Sequence, residues 1–320
     1  MPQDDHRCLS MTAMSLSGEK ILVTGAAGQI GLPMVEWLGH ENEVWGAARF
    51  RAEGAETRVA ASGATPIRVD LASGDYDDLP ADFTYVVHLA AYIGPNPDIN
   101  RAMRNNAESV GLLMQHCRSA KAMLVMSTQS VYRPNPDPSH AYAESDPLGE
   151  TNATFAPTYA MSKIGEEAVA RTCARLFGLP VTIARMNASY GPNGGLPAYD
   201  ADSVLAGLLV TTRSDPSWYT PIHQDDINTQ VGALLGAATV PATIVNWAGD
   251  EVVSAQEWCA YAGELAGMAA TVEVASVDGP LGAIADTTRR LEITGPCRIG
   301  WRDGMRQTIE TRHPHLELPA

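Results

Sequence analysis

The first half of the chain alternates short β-branched runs with longer segments in which apolar residues recur every three or four positions. "KILVTG" (20–25) reads as a buried strand and 29–40 as the helix after it. "NEVWGAA" (42–48), "ATPIRVD" (64–70) and "FTYVVHLAA" (83–91) read as further strands, followed by a helix over about 101–118. "AMLVMST" (122–128) is a strand, a helix runs from about 158 to Gly178, and "PVTIARM" (180–186) is another strand. Strands alternating with helices imply right-handed βαβ units, so the fold class is α/β: a Rossmann-type doubly wound parallel sheet.

After residue 187 the rhythm breaks. "PIHQDDINTQVGALLGA" and "TIVNWAG" predict one more helix and strand, separated at Pro241. Segments 188–221 and 248–320 are less periodic and richer in Pro, Gly and Trp. The predicted organisation is a mobile tail over 1–18, a dinucleotide domain over 19–187 plus about 222–247, and a smaller irregular substrate part over 188–221 plus 248–320. The Pro-rich stretch 133–157 has the length of a lid or a disordered loop.

Composition narrows the function classes. The chain has 320 residues, 45% hydrophobic, with a formal charge of −15 and no Lys/Arg run, which argues against a nucleic-acid partner. The uncharged stretch 227–249 carries Asn228, Gln230, Pro241 and Asn246, so it reads as buried helix and strand rather than a membrane span. The first 20 residues lack an apolar signal segment, and the five cysteines lack metal-ligand spacing. A cytoplasmic protein with free thiols is expected.

The chemistry sits at strand ends. Strand 20–25 runs into "TGAAGQIG", whose Gly25, Gly28 and Gly31 would permit a tight turn, close approach of backbone N–H groups to a pyrophosphate, and tight helix packing. Pro33 falls in the first helical turn, where a missing N–H costs little. The second strand ends without a carboxylate, in "GAARFR". Arg49 and Arg51 suit a 2′-phosphate, which favours NADP over NAD, unless both are simply solvated. Asp70 could accept from an adenine amino group or cap a turn, and His88 in "HLAA" reads as packed near the cofactor. Candidate cofactor contacts are Gly25, Gly28, Gln29, Ile30, Gly31, Arg49, Asp70, Leu71, Leu89, Ala90 and Ala91, with Tyr159 and Lys163.

In "YAMSK" (159–163), Tyr159 and Lys163 share a helix face. A free phenol titrates near ~10, so a general acid/base near neutrality needs roughly 3–4 kcal/mol of phenolate stabilisation. A nearby ammonium supplies part of it and an oxidised nicotinamide more. The Thr128 hydroxyl could polarise the substrate oxygen.

Seven landmarks in order, "TGAAGQIG", "VVHLAA", Asn106 in "NNAESVGLL", "STQSVY", "YAMSK", "RMNASYGP" and "PIHQDDI", resemble the extended short-chain dehydrogenase/reductase superfamily, in the NAD-dependent epimerase/dehydratase branch. The resemblance implies a catalytic Thr128–Tyr159–Lys163 set with Asn106 in support. It also implies that Lys163 holds the nicotinamide ribose and that the protein is a homodimer paired through helices 101–118 and 158–178. Leu112, Leu113, Met114, Val169 and Leu176 give the pairing weak support.

Three departures narrow the activity. Gln129 and Ser130 stand where 4,6-dehydratases of this branch carry Asp and Glu. Ala188 fills the substrate Asn position of sugar-nucleotide epimerases, one step from Asn187. Segment 188–221 offers only Arg213 to a diphosphate. The adjacent carboxylates in "HQDD" (223–226) read as helix caps, with no metal. The expected function is an NADP-preferring oxidoreductase on a secondary alcohol or ketone, with Tyr92, Gln129, Ser130, Asn187 and Ala188 as candidate substrate contacts. The alternatives are a nucleotide-sugar epimerase using the same residues, and a non-catalytic dinucleotide sensor.

Overall fold

The computed structural model describes residues 16–149, 155–275 and 281–318. Most of the predicted mobile tail, and Cys8 with it, lies outside them.

Seven parallel strands form the central sheet: β1 (Lys20–Thr24), β2 (Glu43–Ala48), β3 (Thr65–Arg68), β4 (Tyr85–His88), β5 (Ala122–Thr128), β6 (Val181–Met186) and β7 (Thr243–Trp247). Their spatial order is β7-β6-β5-β4-β1-β2-β3, so the winding reverses between β1 and β4. A crevice opens beyond the carboxyl ends of the strands at such a reversal. The central strands are buried on both faces, which is why they read as unbroken apolar runs rather than alternating ones.

One face is covered by α1 (Gly31–Gly39), α2 (Ala55–Ala61) and α6 (Gln224–Gly236), through Met34, Val35, Leu38, Val59, Ile227, Val231 and Leu234. The other is covered by α3, spanning 99–116, and α4 (Tyr159–Phe177), through Val110, Leu113, Met114, Ala170 and Ala174. The strand predicted over 83–91 stops at His88, because Leu89–Ala91 turn away along the crevice. Helix α2 was not predicted; seven residues with two buried side chains leave little periodic signal. Inside α3 the residues Arg104–Glu108 form a π-helical turn.

The part after residue 187 is more regular than its sequence pattern suggests. Helices α5 (Leu196–Leu205), α7 (Ala255–Leu265), α8 (Thr288–Thr294) and α9 (Trp301–Arg312) form there, and a third core joins Ala201, Val204, Trp258, Cys259, Met305 and Ile309. Residues 189–191 pair with 222–223 just before α6 and β7 return to the main sheet. The 133–157 stretch is tied down where it is described: Ala141–Tyr142 pair with Ile284–Ala285, and His140 contacts Asp146 at 2.6 Å. Among the described residues no helix is long and apolar enough to cross a membrane. Cys117, Cys173, Cys259 and Cys297 are free thiols.

Candidate active site

Two clefts meet at the carboxyl end of β5. The first, about 440 Å³, lies over the β1–α1 turn. Gly25 is in the left-handed region (φ +70°), and a Cβ there would come within 2.8 Å of the Ala90 nitrogen. A Cβ on Gly31 would strike the Gly25 carbonyl oxygen at 2.2 Å, so the helix can start against the strand only with glycine at this position. Helix α1 has neither a side-chain cap nor an acidic residue in its first turn, leaving its positive end open to an anion.

Gly28, Gln29, Ile30, Arg49, Asp70, Leu71, Leu89, Ala90, Ala91 and Tyr159 line the same cleft, joined by Ala48 and Arg51. Arg49 is held only by a long 3.4 Å bond from Nη1 to Asn105 Oδ1. Arg68 fixes the backbone of this corner, donating to the carbonyls of Arg49 at 2.7 Å and Phe50 at 3.2 Å. Asp70 uses Oδ1 to cap the turn at the Ala72 N–H, 3.2 Å away, while remaining exposed along the cleft.

Tyr159 stands on the wall of the first cleft, hydrogen-bonded to Thr128 of the second. Burial pushes its phenol above the ordinary value; Lys163 pulls it down, Glu166 pushes it up again and a hydrogen bond with Thr128 lowers it. Lys163 is not on the cleft wall. It is buried beneath Tyr159, where Nζ donates to the Met126 carbonyl at 2.8 Å and contacts the Glu166 carboxylate. Asn106 lines neither cleft. Its amide clamps the Tyr92 backbone, accepting from the Tyr92 N–H at 2.6 Å and donating to its carbonyl at 3.0 Å, and it reaches Ser162 Oγ at 2.8 Å. The π turn is what carries this amide inward. Tyr92 itself lines the first cleft, not the second as a substrate contact would.

The second cleft, about 610 Å³, is lined by Thr128, Gln129, Ser130, Asn187 and Ala188, and by Tyr132, Tyr142, Phe155, Met186, Leu196, Asp200, Arg213 and Tyr219 from the later segments. Among the described residues the buried Nε2 of Gln129 finds no hydrogen-bond acceptor. The Asn187 amide instead braces the wall: it donates to Gln129 Oε1 and to the Ala283 carbonyl, and accepts from the N–H groups of Ala188 and Thr220. Asp200 and Arg213 bring the charges of this cleft. The "HQDD" residues line neither cleft. His223 caps α6, and the Asp226 carboxylate accepts from Arg298 N–H at 2.7 Å and Ile299 N–H at 3.2 Å, tethering the C-terminal segment.

Residues 21–211 match the model of the NAD dependent epimerase/dehydratase family. The chain belongs to that family. UDP-glucuronate 4-epimerase 2 of Arabidopsis thaliana is 30% identical over 202 residues, 56% of this chain and 44% of the relative. An uncharacterized UDP-glucose epimerase of Bacillus subtilis is 26% identical over 191 residues, 54% of this chain and 57% of the relative. The chain thus spans about half the length of the curated relatives it matches. The solved UDP-glucuronic acid 4-epimerase of Bacillus cereus, in complex with UDP-glucuronic acid and NAD, superposes with a TM-score of 0.80 at 23% identity, covering 92% of this chain and 99% of that one. The likeness to that structure is one of fold.

The sequence named much of the first cleft's wall and Thr128, Gln129, Ser130, Asn187 and Ala188 of the second, but missed the buried layer beneath them. Glu167 and Arg185 are enclosed charges that pair across eighteen positions, and Glu166 is enclosed between Lys163 and the distant His88; no local pattern marks their burial.

Proposed function

We propose that the chain is a nicotinamide-dependent enzyme that moves hydride at a secondary carbinol carbon, with Tyr159 carrying the proton. One observation carries the reading: Tyr159, on the wall of the glycine-turn cleft, is hydrogen-bonded to Thr128, on the wall of the second, with Lys163 close behind the phenol. The first cleft fits a dinucleotide, because it combines a left-handed glycine turn, an uncapped helix start and an adenosine-end arginine. The bound cofactor would accept or return the hydride. Tyr159 would face its nicotinamide end, with Lys163 behind it, while Gly25, Gly28 and Gly31 admit its pyrophosphate and Asp70 and Leu71 flank its adenine. The division of labour is then 19–187 with 222–247 for the cofactor, and 188–221 with 248–320 for the substrate.

Two overall reactions share this step. The relatives favour the epimerase cycle, in which hydride is returned to the same carbon from the opposite side, and this takes precedence over the net oxidoreductase expected from the sequence. A specific feature favours the second reading: the second cleft offers a diphosphate one arginine, Arg213, beside the Asp200 carboxylate and a wall that includes Tyr132, Tyr142, Phe155 and Tyr219. The family match ends at residue 211, before Arg213 and Tyr219. Incubation with nucleotide sugars and with small ketones, following reduced-nicotinamide absorbance and product together, separates the two. Epimers formed without net absorbance change mean the epimerase, and one cofactor consumed per product means the oxidoreductase. Neither activity in any substrate class would defeat the proposal and leave the dinucleotide sensor.

The cofactor is read as NADP before NAD, since Arg49 and Arg51 stand at the cleft end where a carboxylate would favour NAD. A homodimer through the exposed sides of α3 and α4 goes with the family reading. Leu112 and Leu176 are exposed there, whereas Leu113 and Met114 belong to the core and Val169 packs against it. Light scattering at micromolar concentration tests it, and a monomer mass would contradict it.

A further inference from the structure

Beneath Tyr159 lies a buried set of ionisable groups that hydride transfer does not itself require. Glu166 follows Lys163 by three positions on α4, and its side chain is 0% exposed. One carboxylate oxygen contacts Lys163 Nζ, and the other lies 3.4 Å from His88 Nε2 at the end of β4. His88 is held in turn by Thr24, whose Oγ1 lies 2.8 Å from His88 Nδ1. Because Thr24 Oγ1 already accepts from the Ala90 N–H at 3.3 Å, its own hydrogen is available for Nδ1. The neighbouring Glu167 takes no part, being turned to Arg185 at 2.8 Å.

We propose that Glu166 is a positioning residue for Lys163: it pins the ammonium beneath β5, takes up part of its charge, and so sets the pH at which Tyr159 yields its proton. Lys163 has three N–H donors. One is used by Met126, and the ammonium contacts the Glu166 carboxylate, so it reaches Tyr159 as half of an ion pair rather than as a free cation. The charged groups that act on Tyr159 are Lys163 and Glu166, with opposite effects. Those facing Glu166 are Lys163 from its own helix and His88 from β4. A small or neutral residue at position 166 would leave the lysine's charge unopposed.

The proposal rests on Tyr159 as proton carrier, but its test reads the phenol and not turnover, so failure of one is distinguishable from failure of the other. Protein labelled with carbon-13 at the tyrosine ring carbon bearing oxygen is titrated by NMR, with and without NAD. Tyr159→Phe assigns the resonance. Glu166→Gln is expected to lower the Tyr159 midpoint by about one pH unit or more, the effect of removing one buried charge near the phenol. Glu166→Asp, which keeps the charge, should recover part of the difference. A wild-type phenol that stays protonated up to alkaline unfolding, while that of the glutamine variant titrates below it, is the same result. A midpoint unchanged or raised in Glu166→Gln, or a phenol protonated throughout in both proteins, overturns the proposal. Should the glutamine variant fail to fold, Glu166→Ala carries the same expectation, alanine being well tolerated inside a helix.

Discussion

Arg185 and Glu167 form a two-pronged ion pair behind the active site, with Nε to Oε1 at 2.9 Å and Nη2 to Oε2 at 2.8 Å. Ser127 donates to the same carboxylate at 2.6 Å, and the guanidinium lies 4.8 Å from the Tyr132 ring centre. Both ions are nearly solvent-free, so removing one strands the other. Glu167→Ala should therefore cost about 3–5 kcal/mol of unfolding free energy. Urea unfolding would show it; a loss under about 1 kcal/mol would mean that water reaches the arginine.

Tyr159→Phe keeps the ring that walls the first cleft and removes the proton carrier. Turnover should fall at least about a hundredfold, the usual worth of a positioned general acid/base, with dinucleotide affinity almost unchanged. Lys163→Ala should damage both, since it also frees the Met126 carbonyl and Glu166. A phenylalanine variant within tenfold of wild type would remove Tyr159 from the mechanism.

How much of this was legible in the sequence depends on whether the signal is local. Gly25 and Gly31 were legible because a left-handed turn and a 2.2 Å approach exclude every other residue. The sheet strands were legible to within a few residues because burial on both faces makes them continuously apolar. Helix α9 was not: only Gly304, Met305, Thr308 and Ile309 are buried, and the interior glycine weakens its helical signal. That glycine has a tertiary cause, since a Cβ at 304 would meet the Tyr190 hydroxyl at 2.6 Å. Glu166 and Glu167 look alike in sequence; one faces Lys163 and His88 and the other Arg185, which only the packed sheet reveals.

Arg49 is the residue on which cofactor choice should turn. Its side chain lines the first cleft with only a 3.4 Å hydrogen bond to give up, and Arg68 holds the backbone around it independently. Arg49→Ala should weaken NADP by about 1.5–3 kcal/mol, the worth of a bond to a charged group, and NAD much less. Calorimetric titration with both dinucleotides checks this. Equal losses would make Arg49 a surface residue with no part in cofactor choice.

Asp200 gives the second cleft a pH-dependent stability. Burial raises its carboxyl from 3.8 to about 6, against the pull of a 2.9 Å hydrogen bond from Trp258 Nε1. Since the folded pKa lies above the unfolded one, the native chain holds more protons than the unfolded chain between those values. Stability from this group is full below the unfolded pKa and falls as pH rises, until Asp200 is ionised above about 6. A rise of roughly two units corresponds to about 3 kcal/mol lost across that window. Asp200→Asn keeps an acceptor oxygen for Trp258 and removes the charge. The variant should match the wild type near pH 4 and exceed it by about 2–3 kcal/mol near pH 7, read as the difference between two urea-unfolding series across pH. Other titrating groups cancel in that difference. A gap that stays flat with pH would show that Asp200 ionises as freely in the cleft as in the unfolded chain, and that water reaches it beside Arg213.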